Sequence, residues 1–390
     1  MQICGDAHLM NFGFFASPER QLVFDINDFD ETHPGPWEWD IKRLAVSLVL
    51  AGRSRGFDAP AAREIVLRLA GTYRRRIRAF SQMSQLDLWY CRVGFEQLLS
   101  QATDEGMRQQ LNKVAGKARN QTQERLLPKM ADLEGGGLRL RDNPPVIFHL
   151  DDHNSPLAAC DDWLGEDSRA KIQRMLDSYI DTLKEDRREL LQRFRLVDAA
   201  FKVVGVGSVG TRCLALLLQD DYDQPLFLQL KEARPSVLES FTQPCVHGNQ
   251  GKRVVFGQRL MQATSDLFLG WTQGADGRHF YMRQLRDMKA ARRWRPSPPP
   301  KSWPATARPA AGRWRAPTPS PAAARPRSQA TWAIPTSSTR CWPTTPRPTP
   351  TRWKPTTGCS TRRCAADACQ LPRHDVRVRE NCDVDICVLN

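Results

Sequence analysis

The sequence predicts an α+β fold in two lobes, and three observations carry that reading. Short runs at 21–26, 213–218, 226–233 and 280–285 are rich in β-formers and bounded by turn residues, as strands are. Stretches at 58–133 and 166–200 carry helical periodicity instead. Polar clusters with chemical potential lie on both sides of that helical stretch, one before residue 45 and one after residue 203. The expected organisation is a catalytic and metal-loop segment at 1–57, a mainly helical insert at 58–200, a glycine-loop and lysine lobe at 201–289, and a disordered Pro/Arg-rich tail at 290–390.

The first segment holds two acidic clusters. Cys4-Gly-Asp-Ala-His-Leu-Met-Asn11 places Asp6 five positions before Asn11, the spacing of a kinase catalytic loop. In such a loop Asp6 orients or deprotonates a hydroxyl, while the Asn11 amide oxygen reaches a metal. His8 could add a hydrogen bond there, or be structural. The strand at 21–26 then runs into Asp25, Asp28, Asp30 and Glu31. Carboxylates this crowded repel one another unless a cation sits among them. Asp28, beside Phe29, is the first choice for a Mg²⁺ ligand, with Asp25 and Asp30 behind it; an acidic surface turn is the alternative. The run from Pro34 to Leu44 begins a helix, and Asp40, twelve residues after Asp28, falls in its first turn. It reads as a brace for the catalytic loop or as a plain helix-start acid.

The second cluster is Val204-Gly-Val-Gly-Ser-Val-Gly-Thr211 followed by the strand carrying Lys231. Glycines let a backbone approach phosphates and expose N–H groups to them. A lone glycine motif fits a dinucleotide turn or an ordinary hairpin as well. However, 212–218 is apolar and is followed by Asp-Asp-Tyr-Asp-Gln-Pro, a hairpin turn rather than an opening helix. That favours a kinase-like arrangement, with Gly205, Gly207, Ser208 and Gly210 over the phosphates of ATP and Lys231 gripping them. Glu239, on a helix suggested by Ser236-Val-Leu-Glu239, is the best partner for Lys231; Gln258 and Glu232 are weaker. A helix is expected from Arg253 to Leu269. Because the catalytic and metal motifs precede the glycine loop, the two-lobe kinase-like order would be permuted.

These motifs resemble a known family. Gly5-Asp-Ala-His-Leu-Met-Asn-Phe-Gly13, Asn27-Asp-Phe-Asp-Glu-Thr32, Trp39-Asp-Ile-Lys-Arg-Leu44, the glycine loop, Leu228-Gln-Leu-Lys-Glu-Ala233, Gln258-Arg-Leu-Met-Gln-Ala263, Asp266-Leu-Phe-Leu-Gly-Trp271 and Arg283-Gln-Leu-Arg-Asp-Met-Lys289 are similar to bacterial proteins grouped as domain of unknown function 2252. The resemblance covers roughly 1–289 and implies likeness to small-molecule kinases of the aminoglycoside phosphotransferase type. Two rivals stay open. One is a nucleotide-binding or degenerate protein without catalysis. The other is a metal-dependent phosphoesterase, for which Gly-Asp-x-His speaks and the missing Gly-Asn-His speaks against.

Composition limits the partners. No apolar run is long enough for a membrane span and no signal peptide opens the chain, so a cytoplasmic protein is expected. Net charge is +14, yet 289–366 alone holds 16 Lys and Arg with no acid, leaving −2 for the remainder. A specific nucleic-acid partner is therefore not expected. His149 and His153 have helical spacing, but Pro144, Pro145 and Asn154 argue for a loop. The last 50 residues hold six of the 11 cysteines without tight C-x₂-C pairs, unlike a zinc site.

The stretch 289–366 also carries 16 of the 28 prolines, which argues against a packed fold. Its Pro, Arg, Ala, Thr, Ser and Trp are what G+C-rich codons give in the wrong phase. Read one nucleotide earlier, codons for 331–345 can specify Tyr-Leu-Gly-Asp-Ser-Asp-Val-Phe-Asp-Glu-Val-Leu-Ala-Asp-Tyr, and those for 312–319 Trp-Ala-Leu-Ala-Arg-Ala-His-Ala. A frameshift near residue 290 is the expectation; a tail that binds anions nonspecifically is the alternative. Met1 lies only five residues before Asp6, so a fragment is expected there too, with no strand ahead of the loop.

Overall fold

The structure is a computed structural model that describes residues 1–102, 104–149, 167–203, 210–285, 288 and 290–291. Strand β1 (Gln2–Ile3) leads through a 3-10 turn at Leu9–Asn11 to the hairpin β2 (Phe12–Ala16) and β3 (Leu22–Ile26), then β4 (His33–Pro34) and helix α1 (Glu38–Ser54). Five helices follow: α2 (Ala59–Phe80), α3 (Gln85–Tyr90), α4 (Phe95–Ser100), α5 (Glu105–Arg119) and α6 (Gln123–Met130). Next come the hairpin β5 (Ala131–Glu134) and β6 (Gly137–Leu140), then β7 (Ile147–Phe148), α7 (Ser168–Ile180) and α8 (Glu185–Leu191). The last described part is β8 (Arg195–Lys202), β9 (Cys213–Gln219), β10 (Pro225–Glu232), a 3-10 helix at Val237–Phe241, α9 (Gln250–Met261), β11 (Gly270–Gln273), β12 (His279–Gln284) and β13 (Ala290–Ala291). The architecture is mixed α+β with antiparallel sheets.

The main sheet has the order β11-β12-β10-β9-β8-β7. Strands β9 and β10 are buried along their whole length, which explains why they read as near-continuous apolar runs. Alternation sorts their two faces. Leu214, Leu216, Leu218, Leu228 and Leu230 pack with Ile172, Met175, Leu176 and Tyr179 of α7. Ala215, Leu217 and Phe227 face Leu126 and Met130 of α6 instead. Asp220 makes the turn between the strands by accepting from the Tyr222 and Gln224 N–H groups at 2.9 and 2.8 Å.

Two smaller units carry the N-terminal motifs. Strands β13, β2 and β3 form a three-stranded sheet whose Phe14 and Leu22 pack on Phe95, Leu98, Ala115 and Ala118 of α4 and α5. Strand β1 pairs with β4, so a strand does precede the Asp6 loop, contrary to the sequence expectation. Cys4, Ala7 and Phe29 then share a core with Val254 and Val255 of α9 and Tyr281 of β12, which seats the acidic loops on the main sheet.

Three other expectations change. The helix expected over 253–269 stops at Met261: the backbone turns extended at Gln262, whose side chain donates to the Ile26 carbonyl at 2.5 Å. The segment expected to be mainly helical also holds β5–β7 and most of β8, which join sheets. Val237–Phe241 forms a 3-10 helix whose start carries a capping box between Ser236 and Glu239. Strand and turn readings at 21–26, 213–233 and 280–285 agree with β3, β9, β10 and β12. Among the described residues no helix is long and apolar enough to cross a membrane.

His149 follows β7 in a loop, as the prolines indicated, while His153 and residues 292–390 lie outside the described residues; the first two residues of the expected disordered tail instead form β13, paired with β2. The His149 ring sits between two carboxylates, Nδ1 at 2.8 Å from Asp142 Oδ1 and Nε2 at 2.9 Å from Asp198 Oδ2. Ionised carboxylates only accept, so both ring nitrogens carry protons and the imidazole is a cation. Desolvation works against that charge, but the bonds and charges of Asp198 and Asp142 win and raise the His149 pKa. A raised pKa stabilises the fold fully below the unfolded value near 6.5, and the gain is lost as pH rises through the folded value. Wild-type unfolding free energy should therefore fall as pH is raised above 6.5, whereas His149→Gln should lose about 2 kcal/mol at pH 6 and show a flatter profile. Urea titrations across that range measure it.

Candidate functional site

Cross-strand register builds the floor of the site. Lys231 pairs with Tyr281, and Gln229 with Arg283, so period two places all four on one face of β10 and β12. The acidic loop 27–32 crosses that face. The Lys231 ammonium lies 2.6 Å from Asp30 Oδ2 and 3.4 Å from Asp28 Oδ2. The Tyr281 hydroxyl donates to Asp30 Oδ1. Desolvation alone would lower the lysine pKa; the charges of Asp28, Tyr281 and Asp30 reverse this and hold it well above the usual range. Desolvation and the Asp28 charge push the Asp30 carboxyl up, against the pull of Lys231.

Two buried arginines hold the backbone of the same loop. Arg253 of α9 donates to the carbonyls of Thr32, Asp30 and Arg234 at 2.5, 2.8 and 2.9 Å. Arg283 donates to the Asn27 carbonyl at 2.9 Å. The Glu31 carboxylate caps the next turn, accepting from Ser236 Oγ at 3.1 Å and the Val237 N–H at 2.8 Å.

The Asp6 loop is tied to this arrangement by Asn11, which is buried. Its Nδ2 donates to the carbonyls of Asp6 and Asp28 at 3.0 and 2.8 Å, and its Oδ1 accepts from the Asp28 N–H at 2.8 Å. Asp40 accepts from the N–H groups of Cys4 and Gly5 at 2.7 and 2.9 Å. Burial pushes its carboxyl up, and those two N–H groups oppose the shift. Asp6 itself remains partly exposed, with Arg43 Nε at 2.8 Å and His8 Nε2 at 3.6 Å.

Some expected members stand elsewhere. Asp25 is held by the N–H groups of Ile26 and Ala263 at 2.7 and 3.2 Å, and burial raises its pKa; Asp28 and Asp30 are the acids at Lys231. Glu239 is not the lysine's partner. It belongs to the Ser236 capping box and accepts from Gln250 Nε2 at 3.1 Å. Glu232 points to the other face of β10, where Arg212 and Arg234 sit at 3.1 Å. Gly205, Gly207 and Ser208 lie outside the described residues; Gly210 has φ +81°, and its carbonyl accepts from Arg234.

Sequence reasoning missed Arg253, Tyr281 and Arg283. The signal for the latter two was available, since they alternate along β12 in step with Lys231 along β10. For Arg253 no local pattern marks a buried cation. Among the described residues no group of three or more His, Cys, Asp and Glu is arranged to hold a metal. Mg²⁺ commonly needs only one or two carboxylates beside phosphate oxygens and water, so Asp28 and Asp30 fit that donor set.

Fold and cluster together define an α+β protein that buries one lysine against paired acids drawn from a distant part of the chain. The chain belongs to the family described as an uncharacterized protein conserved in bacteria (DUF2252), matching it over residues 1–311. That bears out the family resemblance of the motifs and extends it past residue 289. No curated protein and no solved structure matches the chain.

Gly5 shows how closely the two acidic loops approach. Its φ is +83°, and a Cβ there would lie 2.3 Å from the Glu31 carbonyl oxygen. Gly5→Ala should cost about 3 kcal/mol in a denaturant titration. Gly116→Ala, in α5 with nothing within 4 Å of the new carbon, should be neutral or stabilise by up to about 1 kcal/mol.

Proposed function

We propose that the chain is a phosphotransferase of kinase-like, permuted architecture that moves the γ-phosphate of ATP to a hydroxyl of an acceptor. The observation that carries this reading is the Lys231 ammonium facing Asp28 and Asp30 across 203 and 201 positions of sequence. A cation for phosphates beside acids suited to Mg²⁺ is the core requirement of phosphoryl transfer. The hairpin whose loop carries Gly205, Gly207, Ser208 and Gly210 precedes the lysine strand, the order in which kinases cover and grip phosphates.

In this reading Lys231 binds the phosphates, and Asp28 and Asp30 hold Mg²⁺, which when bound neutralises charge on the phosphate oxygens. Asp6 orients the acceptor hydroxyl and takes its proton. Asn11 positions both acidic loops through its hydrogen bonds to the Asp6 and Asp28 backbone, and Asp40 fixes the backbone before Asp6. Departing from the usual kinase, α9 offers no glutamate, so the lysine's counter-charge comes from the metal loop itself. The second reading, nucleotide binding without transfer, is favoured by Asn11 Oδ1 already accepting from the Asp28 N–H.

Thermal shift and phosphate release separate these readings. ATP with Mg²⁺ should raise the melting temperature of the full chain, and Lys231→Ala should abolish the rise. Asp6→Ala should keep the rise but lower any transfer at least about a hundredfold. A shift with no turnover on any hydroxyl acceptor supports the second reading; no shift at all removes both.

A further inference from the structure

A cavity of about 50 Å³ lies where the turn between β2 and β3, the last turn of α9, the loop at 262–267 and the end of β12 meet. It has room for roughly three or four water-sized groups. Four of the sequence motifs place their first residue on it: Asn27, Gln258, Asp266 and Arg283. None of these four side chains takes part in the proposed phosphotransfer. Phe15 and Leu267 add apolar surface to the wall, and Arg20 borders it at a solvent-exposed position.

Two buried polar groups on this wall keep unused hydrogen-bonding capacity. Gln258 is 4% exposed; its Nε2 donates to Gln262 Oε1 at 2.8 Å, while its Oε1 has no partner among the described residues. Buried acceptors are rarely left unmatched, so a donor belongs there. Arg283 is 9% exposed. Its Nη1 donates to the Asn27 carbonyl at 2.9 Å and its Nε reaches Gln229 Oε1 at 3.5 Å, which leaves Nη2 without a partner among the described residues.

The charge of Arg283 is already met. Its guanidinium lies over the Tyr281 ring, 5.7 Å from the centroid, and Lys231 approaches the same ring at 5.3 Å. Desolvation works against that charge, but Tyr281, Asp28, Asp30 and Asp266 hold its pKa above the ordinary arginine range. An anion in the cavity would meet a compensated guanidinium, and would also face the Asp266 carboxylate and the Gln258 oxygen, neither of which can donate. A cation would face Arg283. A hydroxyl suits both open groups, because it accepts from a guanidinium and donates to an amide oxygen.

We propose that this cavity binds a small neutral polyol, whose hydroxyls accept from Arg283 Nη2 and donate to Gln258 Oε1 while its carbons lie against Phe15 and Leu267. The inference does not rest on the proposed phosphotransfer. It adds a ligand site one residue from Asp28, since Asn27 borders the cavity and Arg283 holds the Asn27 carbonyl.

Saturation-transfer-difference NMR on the full chain, with glycerol as the probe and neither nucleotide nor Mg²⁺ present, tests it. Saturable binding is expected, weakened about tenfold or more by Gln258→Met, which keeps the side-chain length and removes the acceptor. Leu267→Trp, at a half-buried position, should abolish binding by filling the cavity while leaving its polar groups in place. Thermal melts check that the variants fold, and Leu267→Trp decides alone if Gln258→Met does not. Malonate and 1-propanol, with the same carbon count as glycerol, should bind about tenfold more weakly or worse. The inference is overturned if glycerol gives no saturable signal, which leaves the cavity to water, or if the folded variants bind as the wild type does. It is equally overturned if 1-propanol matches glycerol, the mark of apolar filling alone, or if malonate matches or exceeds it, the mark of an anion site.

Discussion

A desolvated ammonium cannot stand alone in a protein, and Lys231 does not: its carboxylate neighbours set the position of everything around it. The acids have the complementary problem. Asp28, Asp30 and Glu31 crowd one loop and would force it open without counter-charge. Lys231 supplies that charge at the side chains, while Arg253 and Arg283 hold the loop's backbone carbonyls. Three cations from three elements thus converge on a single loop from the other end of the chain.

The same electrostatics shape the functional reading. Under the proposed function, a phosphate entering the site would compete with Asp28 and Asp30 for Lys231, and the released carboxylates would then need a replacement cation. Nucleotide and divalent-ion binding would be linked for that reason alone. Around this centre, Asn11 and Asp40 act on backbone atoms. They hold the Asp6 loop and the acidic loop in one frame, leaving the Asp6 carboxylate partly exposed to the solvent side.

What could be read from the sequence follows from how local each determinant is. Strands β9, β10 and β12 were legible because burial on both faces and turn residues leave marks within ten residues. The acidic clusters were legible because like charges at such density need a reason. The end of α9 was not, since the Gln262 side chain there meets the Ile26 carbonyl, 236 positions away, a contact no local window contains. Glu239 misled because Ser-x-x-Glu serves a capping box as readily as a lysine partner. Choosing Asp30 over Asp25 needed the register between distant segments, which no window of sequence contains.

Placing residues two hundred positions apart in a single charged site is the claim to test, and a double-mutant cycle between Lys231→Met and Asp30→Asn does so directly. Unfolding free energies of the wild type, both single variants and the double variant give the coupling between the two side chains. The account requires a favourable coupling of about 2 kcal/mol or more, with the double variant less damaged than the sum of the singles. Additive effects, within about 0.5 kcal/mol, would mean the two side chains never meet and would contradict it.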